Sequence, residues 1–350
     1  MELIKHDHYA ELKVDSPDND KDIIELGLAC RDYLLDHQVL VLKKQNPDSV
    51  YYSKLIHSMT KNGIYNWRQC SWTPDGELFS MGEQLMANVG YTSKEAANVA
   101  AANMPKSGPL NQIKPTSSLQ DKNHEYLDPF NFTEPNSYPV QRVTGEQKGK
   151  YGGGIFGTGD LDWHCNLGGY HEADGVALQG IRDVEGASTF FANSVPALRD
   201  MSDNLREQIE NRKAHFKFDH KKWSDTTKMH PMQRITMQLL YLNNKRAEMD
   251  LYIIQQNLKG IKGIYFHRLN NMKIEGDDGS LVQALYEHMF QEQYVYEHKW
   301  EVGDIILMDQ LITQHKREFV EPSLLEKRVL HRLTFMLNND DDYVYKYNHT

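Results

Sequence analysis

The sequence predicts a mixed α/β protein with a mainly β core, a double-stranded β-helix (jelly roll) with flanking helices. Three observations carry this. From Tyr138 onward, short β-type runs separated by turn residues dominate: "YPVQRV", "DGVALQGI", "STFFAN", "YVYEHKW", "DIILMD" and "VLHRLTFML". Helical periodicity flanks these runs and does not alternate with them, as a doubly wound parallel sheet would require. No internal repeat or linker interrupts the 350 residues. A single domain over residues 1–350 is therefore expected, with residues 66–137 as an insertion: a lid, or an ordered surface excursion.

In chain order, Ile23, Ile24, Leu26, Leu28, Tyr33, Leu34 and Leu35 fit a helix with one buried face. Val39-Leu40-Val41-Leu42 reads as a short buried strand, and Asn46-Pro47-Asp48 ends it. Asp48 is the candidate N-cap of a second helix running to about Met59. The insertion mixes Gly, Pro, Asn, Ser and Ala without strong period; "SKEAANVAAANM" is a helix candidate there, and "WRQCSW" at 67–72 reads as packing. Gly152-Gly153-Gly154 marks a turn. "VPALRDMSDNLREQIENR" reads as one amphipathic helix through Leu198, Met201, Leu205 and Ile209, and "GSLVQALYEHMFQEQ" as another. The basic run "RKAHFKFDHKKW" at 212–223 reads as a solvated helix end or loop, and "NNDDDYVYKYNHT" as a solvated tail.

Composition narrows the function classes. Hydrophobic residues make up 39%, enough for a core. A net charge of −10 argues against a binder of phosphate backbones, so no nucleic-acid partner is expected. Cys30, Cys70 and Cys165 form no CxxC pair, which excludes a disulfide framework or zinc ribbon and suits a reducing cytoplasm. The first twenty residues lack the apolar core of a signal peptide, and no run approaches the roughly 18 apolar residues of a membrane span. A cytoplasmic protein without a membrane partner is the expectation.

Three features fall at the ends of predicted β segments: His164 in "DWHCN", His315 in "GDIILMDQLITQHKRE", and Arg328 with Arg332 in "KRVLHRLTF". Only a β scaffold folding back on itself could join two histidines so far apart. With sixteen histidines in the chain, a structural role is the default for any one of them. Arg328 and Arg332 stand four apart, an even spacing that places both on one face of a strand. Trp163 and Trp300 read as core aromatics that could also wall a site.

The order of these motifs resembles the taurine dioxygenase-like branch of the Fe(II)/2-oxoglutarate-dependent dioxygenases. "LLDHQVLVLKKQ" resembles the branch's amino-terminal helix-strand. "YPVQRVTGEQKGKYGGGIFGTGDLDWHCN" resembles the strand entering its first metal motif, usually W-H-[ST]-D. "VEGASTFFANSVPALRDM" resembles the following G-G-x-T segment. "KGIYFHRLNNMKIEG" and "YVYEHKWEVGDIILMDQLITQH" resemble the approach to the distal histidine, and "RVLHR" supplies an arginine pair. The resemblance covers most of residues 20–338 outside the insertion. It implies Fe(II) on a two-histidine, one-carboxylate set, with 2-oxoglutarate as cosubstrate and O2 as oxidant. The implied reaction oxidises a substrate C–H while 2-oxoglutarate becomes succinate and CO2. By resemblance, His164, His315 and position 166 are the metal and catalytic residues, and Thr189 and Arg328 bind the distal carboxylate of 2-oxoglutarate. Arg332 touches cosubstrate or an anionic small-molecule substrate. The resemblance leaves oligomeric state open, although relatives commonly form homo-oligomers.

Position 166 departs from the pattern, because Asn166 stands where the family has aspartate. An amide offers a carbonyl oxygen but no charge. One reading keeps an oxygenase with Asn166 as a weak or displaced metal ligand, aided by a carboxylate of Asp160, Asp162, Glu172 or Asp174, or with His171 instead completing an all-histidine set. A second is a halogenase, in which chloride fills the place of the carboxylate; asparagine is bulkier than the glycine or alanine of such enzymes. A third is a lapsed relative that binds without catalysis, or a substitution made to trap a complex. The retained histidines, Thr189 and arginine pair favour the oxygenase.

Overall fold

The computed structural model describes residues 1–60, 64–65, 140–144, 160–165, 175–217, 248–268, 271–335 and 337. Its strands are β1 (Glu2–Lys5), β2 (Ala10–Lys13), β3 (Val39–Leu42), β4 (Ile64–Tyr65), β5 (Gln141–Val143), β6 (Leu161–His164), β7 (Gly175–Arg182), β8 (Ser188–Asn193) and β9 (Lys213–Lys217). There follow β10 (Glu248–Tyr252), β11 (Ile254–Gln256), β12 (Lys262–Ile264), β13 (Lys273–Ile274), β14 (Val295–Lys299), β15 (Ile305–Asp309), β16 (Thr313–Arg317) and β17 (Val329–Phe335).

Two sheets organise the core. The larger has eight strands in the order β1-β2-β3-β15-β7-β17-β4, with β5 also on β17. The smaller runs β14-β8-β16-β6. All pairings within these two sheets are antiparallel except β2 with β3. Side chains of the larger sheet alternate between two cores. Leu40, Leu42, Ala177, Ile305, Leu307 and Leu333 pack with the helices α1 (Asp20–His37) and α2 (Ser49–Ser58). Val39, Val41, Val176, Leu178, Ile306, Met308 and Leu330 pack instead with Phe191 and Trp300 of the smaller-sheet side. Apolar runs such as "VLVL" and "IILM" follow from this, because central strands are covered on both faces.

The N-caps follow the local sequence. Asp48 accepts from the Tyr51 N–H, as the sequence predicts. Asn19 does the same for α1 through the Asp22 N–H. Gly27 of α1 faces α2 so closely that a Cβ there would collide with Ser58 Cβ and stand 2.9 Å from the Leu55 carbonyl oxygen. Gly27→Val is expected to wedge α1 from α2 at a cost of about 1–3 kcal/mol, read as a lower urea midpoint.

Four expectations need correction. Ile24 and Leu28 of α1 are 40% and 53% exposed, while Gly27 and Cys30 are buried: the packed stripe is narrower than the apolar composition suggests. The single helix expected over 195–212 is two, Ser194–Arg199 and Asp203–Ile209, because Ser202 takes an N-cap position and accepts from the Leu205 N–H. The basic run after Arg212 opens as β9, not a helix end or loop. Ala214 and Phe216 are buried, Lys213 and Lys217 at the strand's ends are exposed with His215 half-buried between, and β10 and β13 flank it. Arg328 precedes β17 instead of lying on it. The insertion at 66–137, the glycine turn at 152–154, Cys70 and the tail beyond 337 lie outside the described residues.

Candidate active site

The strand β6 lies beside β16 with His164 directly opposite His315. Their ring centroids are 4.2 Å apart, and both residues are buried. Tertiary pairing has therefore joined the two distant histidines. The His164 Nδ1 lies 2.7 Å from the Asp162 carbonyl oxygen, which can only accept, so Nδ1 carries the proton and Nε2 keeps a lone pair. Such a bond to a backbone carbonyl commonly orients a metal-ligating imidazole.

Electrostatics keep both rings neutral. Burial above all, then the Arg332 and Arg317 charges, pushes His164 down to about 4 against the opposing pull of the Asp162 carbonyl. Burial and the His164, Arg332 and His267 charges hold His315 well below the ordinary range. Neutral imidazoles with available lone pairs are what a divalent metal requires.

The Arg332 charge reaches both rings, and the Arg317 charge reaches His164. Arg332 stands opposite Leu178 on β7 and shares the parity of Leu330, so it points toward the smaller sheet. The even-spacing argument fails for Arg328. That residue lies in the turn before β17, its N–H bonds to the Leu324 carbonyl, and the β7–β17 register shifts between Val329 and Leu330. Arg328 is nevertheless buried, and its Nη1 has no hydrogen-bond partner among the described residues. Burial and the neighbouring Arg317 charge push it down to about 9, still cationic at neutral pH.

Thr189 lies on β8 at 4% exposure. The Trp300 Nε1–H donates to its Oγ1 at 2.9 Å, which leaves the hydroxyl proton for another acceptor. Trp300 thus packs as a core residue while touching a candidate site residue. Trp163 is a core aromatic, stacked on Phe290 with centroids 4.5 Å apart. Thr189→Val is expected to leave the indole N–H unpaired and to lower stability by about 1–3 kcal/mol, read from denaturant midpoints.

The third metal donor is less defined. Asn166, His171, Glu172 and Asp174 lie outside the described residues. Asp162 bonds the Trp163 N–H and stands 3.5 Å from Arg268, and Asp160 is exposed. Among the described residues no group of three His, Cys, Asp or Glu side chains is arranged to hold a metal.

Two site residues escape the sequence reading. His267 is fully buried with its ring 6.4 Å from that of His164. No spacing in "GIYFHRLNN" announces it. Arg317, 6% exposed, stands two residues beyond His315 on β16. Strand alternation from His315 would have found it.

The model of the taurine catabolism dioxygenase TauD, TfdA family matches residues 108–334, well over half of the chain. The chain belongs to the TauD/TfdA family. This is a family of Fe(II)/2-oxoglutarate-dependent dioxygenases, whose reaction uses Fe(II), 2-oxoglutarate and O2. Curated relatives include pentalenolactone F synthase of Streptomyces arenae, 30% identical over 84 residues (23% of this chain, 27% of the relative). The Streptomyces avermitilis pentalenolactone F synthase is 19% identical over 192 residues, 51% of this chain and 62% of the relative. The chain thus matches less than two thirds of either relative's length. Among solved structures, AAD-2 in complex with Mn(II) and N-oxalylglycine superposes with a TM-score of 0.56 at 14% identity, covering 96% of this chain and 97% of that one. A Burkholderia xenovorans protein described as a putative alpha-ketoglutarate dependent 2,4-D dioxygenase gives 0.53 at 15% identity, covering 95% and 97%. These two likenesses show a TauD/TfdA-like fold. Among the described residues no helix is long and apolar enough to cross a membrane.

Proposed function

We propose that the chain is an Fe(II)/2-oxoglutarate-dependent oxygenase that hydroxylates a small anionic molecule at a C–H position. One observation carries the reading: His164 and His315 meet as cross-strand neighbours between the sheets, in the field of buried arginines. The two facing sheets support a double-stranded β-helix, the scaffold that holds such a pair. On this reading His164 Nε2 and His315 hold the metal, and Asn166 supplies a neutral oxygen in place of a carboxylate. Iron bound there supplies chelation of the 2-oxo acid and activation of O2.

The remaining work falls to the chain's own groups. The Asp162 carbonyl holds the His164 proton at Nδ1 and so fixes the ring's orientation. Arg328 and the Thr189 hydroxyl bind the distal carboxylate of 2-oxoglutarate. Arg332, whose charge reaches both histidines, orients the anionic group of the substrate. The buried walls around Phe191 and Trp300 exclude water from the cosubstrate.

The test is anaerobic addition of Fe(II) and then 2-oxoglutarate, following the weak visible charge-transfer band of the chelate, with Asn166→Asp in parallel. A band in the unmodified protein supports the oxygenase. A band confined to Asn166→Asp means that the pocket persists with its metal ligand missing. No band in either overturns the metal role of the histidines. Outer-shell changes alone shift metal affinity by about 10–100-fold. Asn166→Asp is therefore expected to tighten Fe(II) binding by at least roughly tenfold, measured by competition with a chromophoric chelator.

A further inference from the structure

One row of side chains crosses the whole of the smaller sheet. Cross-strand pairing sets Tyr296 of β14 opposite Phe191 of β8, Phe191 opposite His315 of β16, and His315 opposite His164 of β6. Directly opposed residues share one face, so all four side chains lie on the side of the candidate metal site. Their rings form a stepped stack. His315 and Phe191 are 6.2 Å apart between centroids, and Phe191 and Tyr296 are 6.3 Å apart. The stack continues off the sheet: Tyr9, just before β2, lies on Tyr296 at 3.7 Å, and His6 lies on Tyr9 at 4.3 Å. Phe191 is buried, Tyr296 and Tyr9 are half-buried, and His6 is exposed. A continuous aromatic path therefore joins a candidate metal ligand to solvent.

The path carries a base at the atom where oxidation would release a proton. The Tyr296 hydroxyl stands 2.7 Å from His298 Nδ1, within reach for proton transfer. The other ring nitrogen, Nε2, lies 3.1 Å from the buried Asp304 carboxylate, so an imidazolium formed there has an anion beside it. Burial holds His298 below its usual range, which leaves the ring neutral and able to take that proton. Burial raises the Tyr296 phenol, which therefore keeps its proton until an electron leaves. Packing alone asks for none of this. A phenylalanine at 296 would fill the same stack, as one does at 191, where the ring has no hydroxyl and serves as a spacer.

We propose that Tyr296 and Tyr9 form an electron relay that discharges the site when 2-oxoglutarate and O2 are consumed without a substrate. The inference rests on the oxygenase reading above and gives that site a safeguard. Decarboxylation of 2-oxoglutarate places one oxygen atom of O2 in succinate; the other needs two electrons and two protons to leave as water. In each pass Tyr296 gives one electron toward the site across Phe191, and its hydroxyl proton to His298 Nδ1. Tyr9 then gives an electron to Tyr296, which takes its proton back from His298, while the Tyr9 proton goes to water. An external reductant of the ascorbate class returns a hydrogen atom to Tyr9. Two passes, with two protons from water, complete the reduction. Without the relay, the same oxidising equivalents fall on the side chains that wall the site.

The test mixes the full chain, loaded anaerobically with Fe(II) and 2-oxoglutarate, with O2 in the absence of substrate. Samples frozen at short times are read by electron paramagnetic resonance, and succinate is measured in the same samples. Unmodified protein is expected to give a tyrosyl radical, identified by narrowing of its spectrum when the protein carries ring-deuterated tyrosine. Tyr296→Phe keeps the stacked ring and should lose that radical. With ascorbate present it should consume severalfold less ascorbate per succinate, and mass spectrometry should find oxygen added to walls of the site such as Phe191 or Trp300. Tyr9→Phe should keep the radical and lengthen its life, because the onward step is gone. Succinate without a tyrosyl radical in the unmodified protein would overturn the relay alone. So would a radical of equal yield in Tyr296→Phe, which would place it on another tyrosine. No succinate from the unmodified protein overturns the oxygenase reading and the relay together.

Discussion

Replacing Arg328 by methionine is expected to abolish useful 2-oxoglutarate binding while leaving the protein as stable as before, or more so. The two effects have one origin. Arg328 is a buried cation whose Nη1 has no partner among the described residues, beside a second guanidinium of like charge. Without an anion it strains the folded state, and an apolar side chain of similar length relieves that strain. With an anion it supplies charge-assisted hydrogen bonds. Truncating one side of such a desolvated pair costs about 2–5 kcal/mol, a loss of roughly 30-fold to several thousand-fold in affinity. Anaerobic titration of 2-oxoglutarate and a thermal melt, run on the same samples, read both quantities. Binding within about twofold of the unmodified protein would remove Arg328 from the cosubstrate site.

Asp304→Ala is expected to have the largest effect on stability. Its carboxylate is fully buried in the turn between β14 and β15. It accepts from Lys43 Nζ at 2.5 Å, from the backbone N–H groups of Lys44 and Glu301, and lies 3.1 Å from His298 Nε2. His298 Nδ1 stands 2.7 Å from the Tyr296 hydroxyl, so a neutral ring can accept there with its Nε2 edge turned to Asp304. Gly303 makes the turn possible: φ is +89°, and a Cβ would collide with the Gln45 carbonyl oxygen. Removing the carboxylate leaves the Lys44 and Glu301 N–H groups without their acceptor, the His298 ring without its anion and Lys43 with Glu301 alone, at a cost of about 3–5 kcal/mol in urea unfolding near neutral pH.

The pH dependence follows from the direction of each shift. Burial opposes ionisation of Asp304, but the hydrogen bonds from His298, Lys43 and the Lys44 N–H outweigh it and hold the carboxyl below its usual range. Its stabilisation is therefore fully present above the ordinary value of 3.8 and is lost as pH falls through the folded value. Burial lowers His298 from 6.5, against the pull of Asp304, so the unfolded chain takes up that proton first. Stability of the unmodified protein should begin to fall below about pH 6.5 on this account. The gap to Asp304→Ala should close only in stronger acid. A gap unchanged from neutral pH to acid unfolding would show that the carboxylate's charge contributes nothing.

Much of the scaffold is written locally. "VLVL", "STFFAN" and "DIILMD" became strands almost to the residue, because apolar and β-branched runs bounded by turn residues have few other ways to be buried. Asp48 announced its helix because a carboxylate before a helical run satisfies an otherwise orphaned N–H. Local patterns misled where partners decide. The basic run of β9 looks solvated until β10 and β13 supply its neighbours, and Ser202 divides a periodic stretch into two helices.

The amino-acid sequence by itself determined the strand-rich scaffold, the identity of the two histidines, and the amide at position 166. Each is carried by residue type or by spacing along the chain. Only the tertiary structure decided that His164 faces His315, that His267 stands beside them, and that Arg328 lies in a turn. It alone made Arg317 their neighbour. The physical reason is that register between strands distant in sequence is set by packing of both faces of a buried sheet. No window of the sequence contains both sides of that contact.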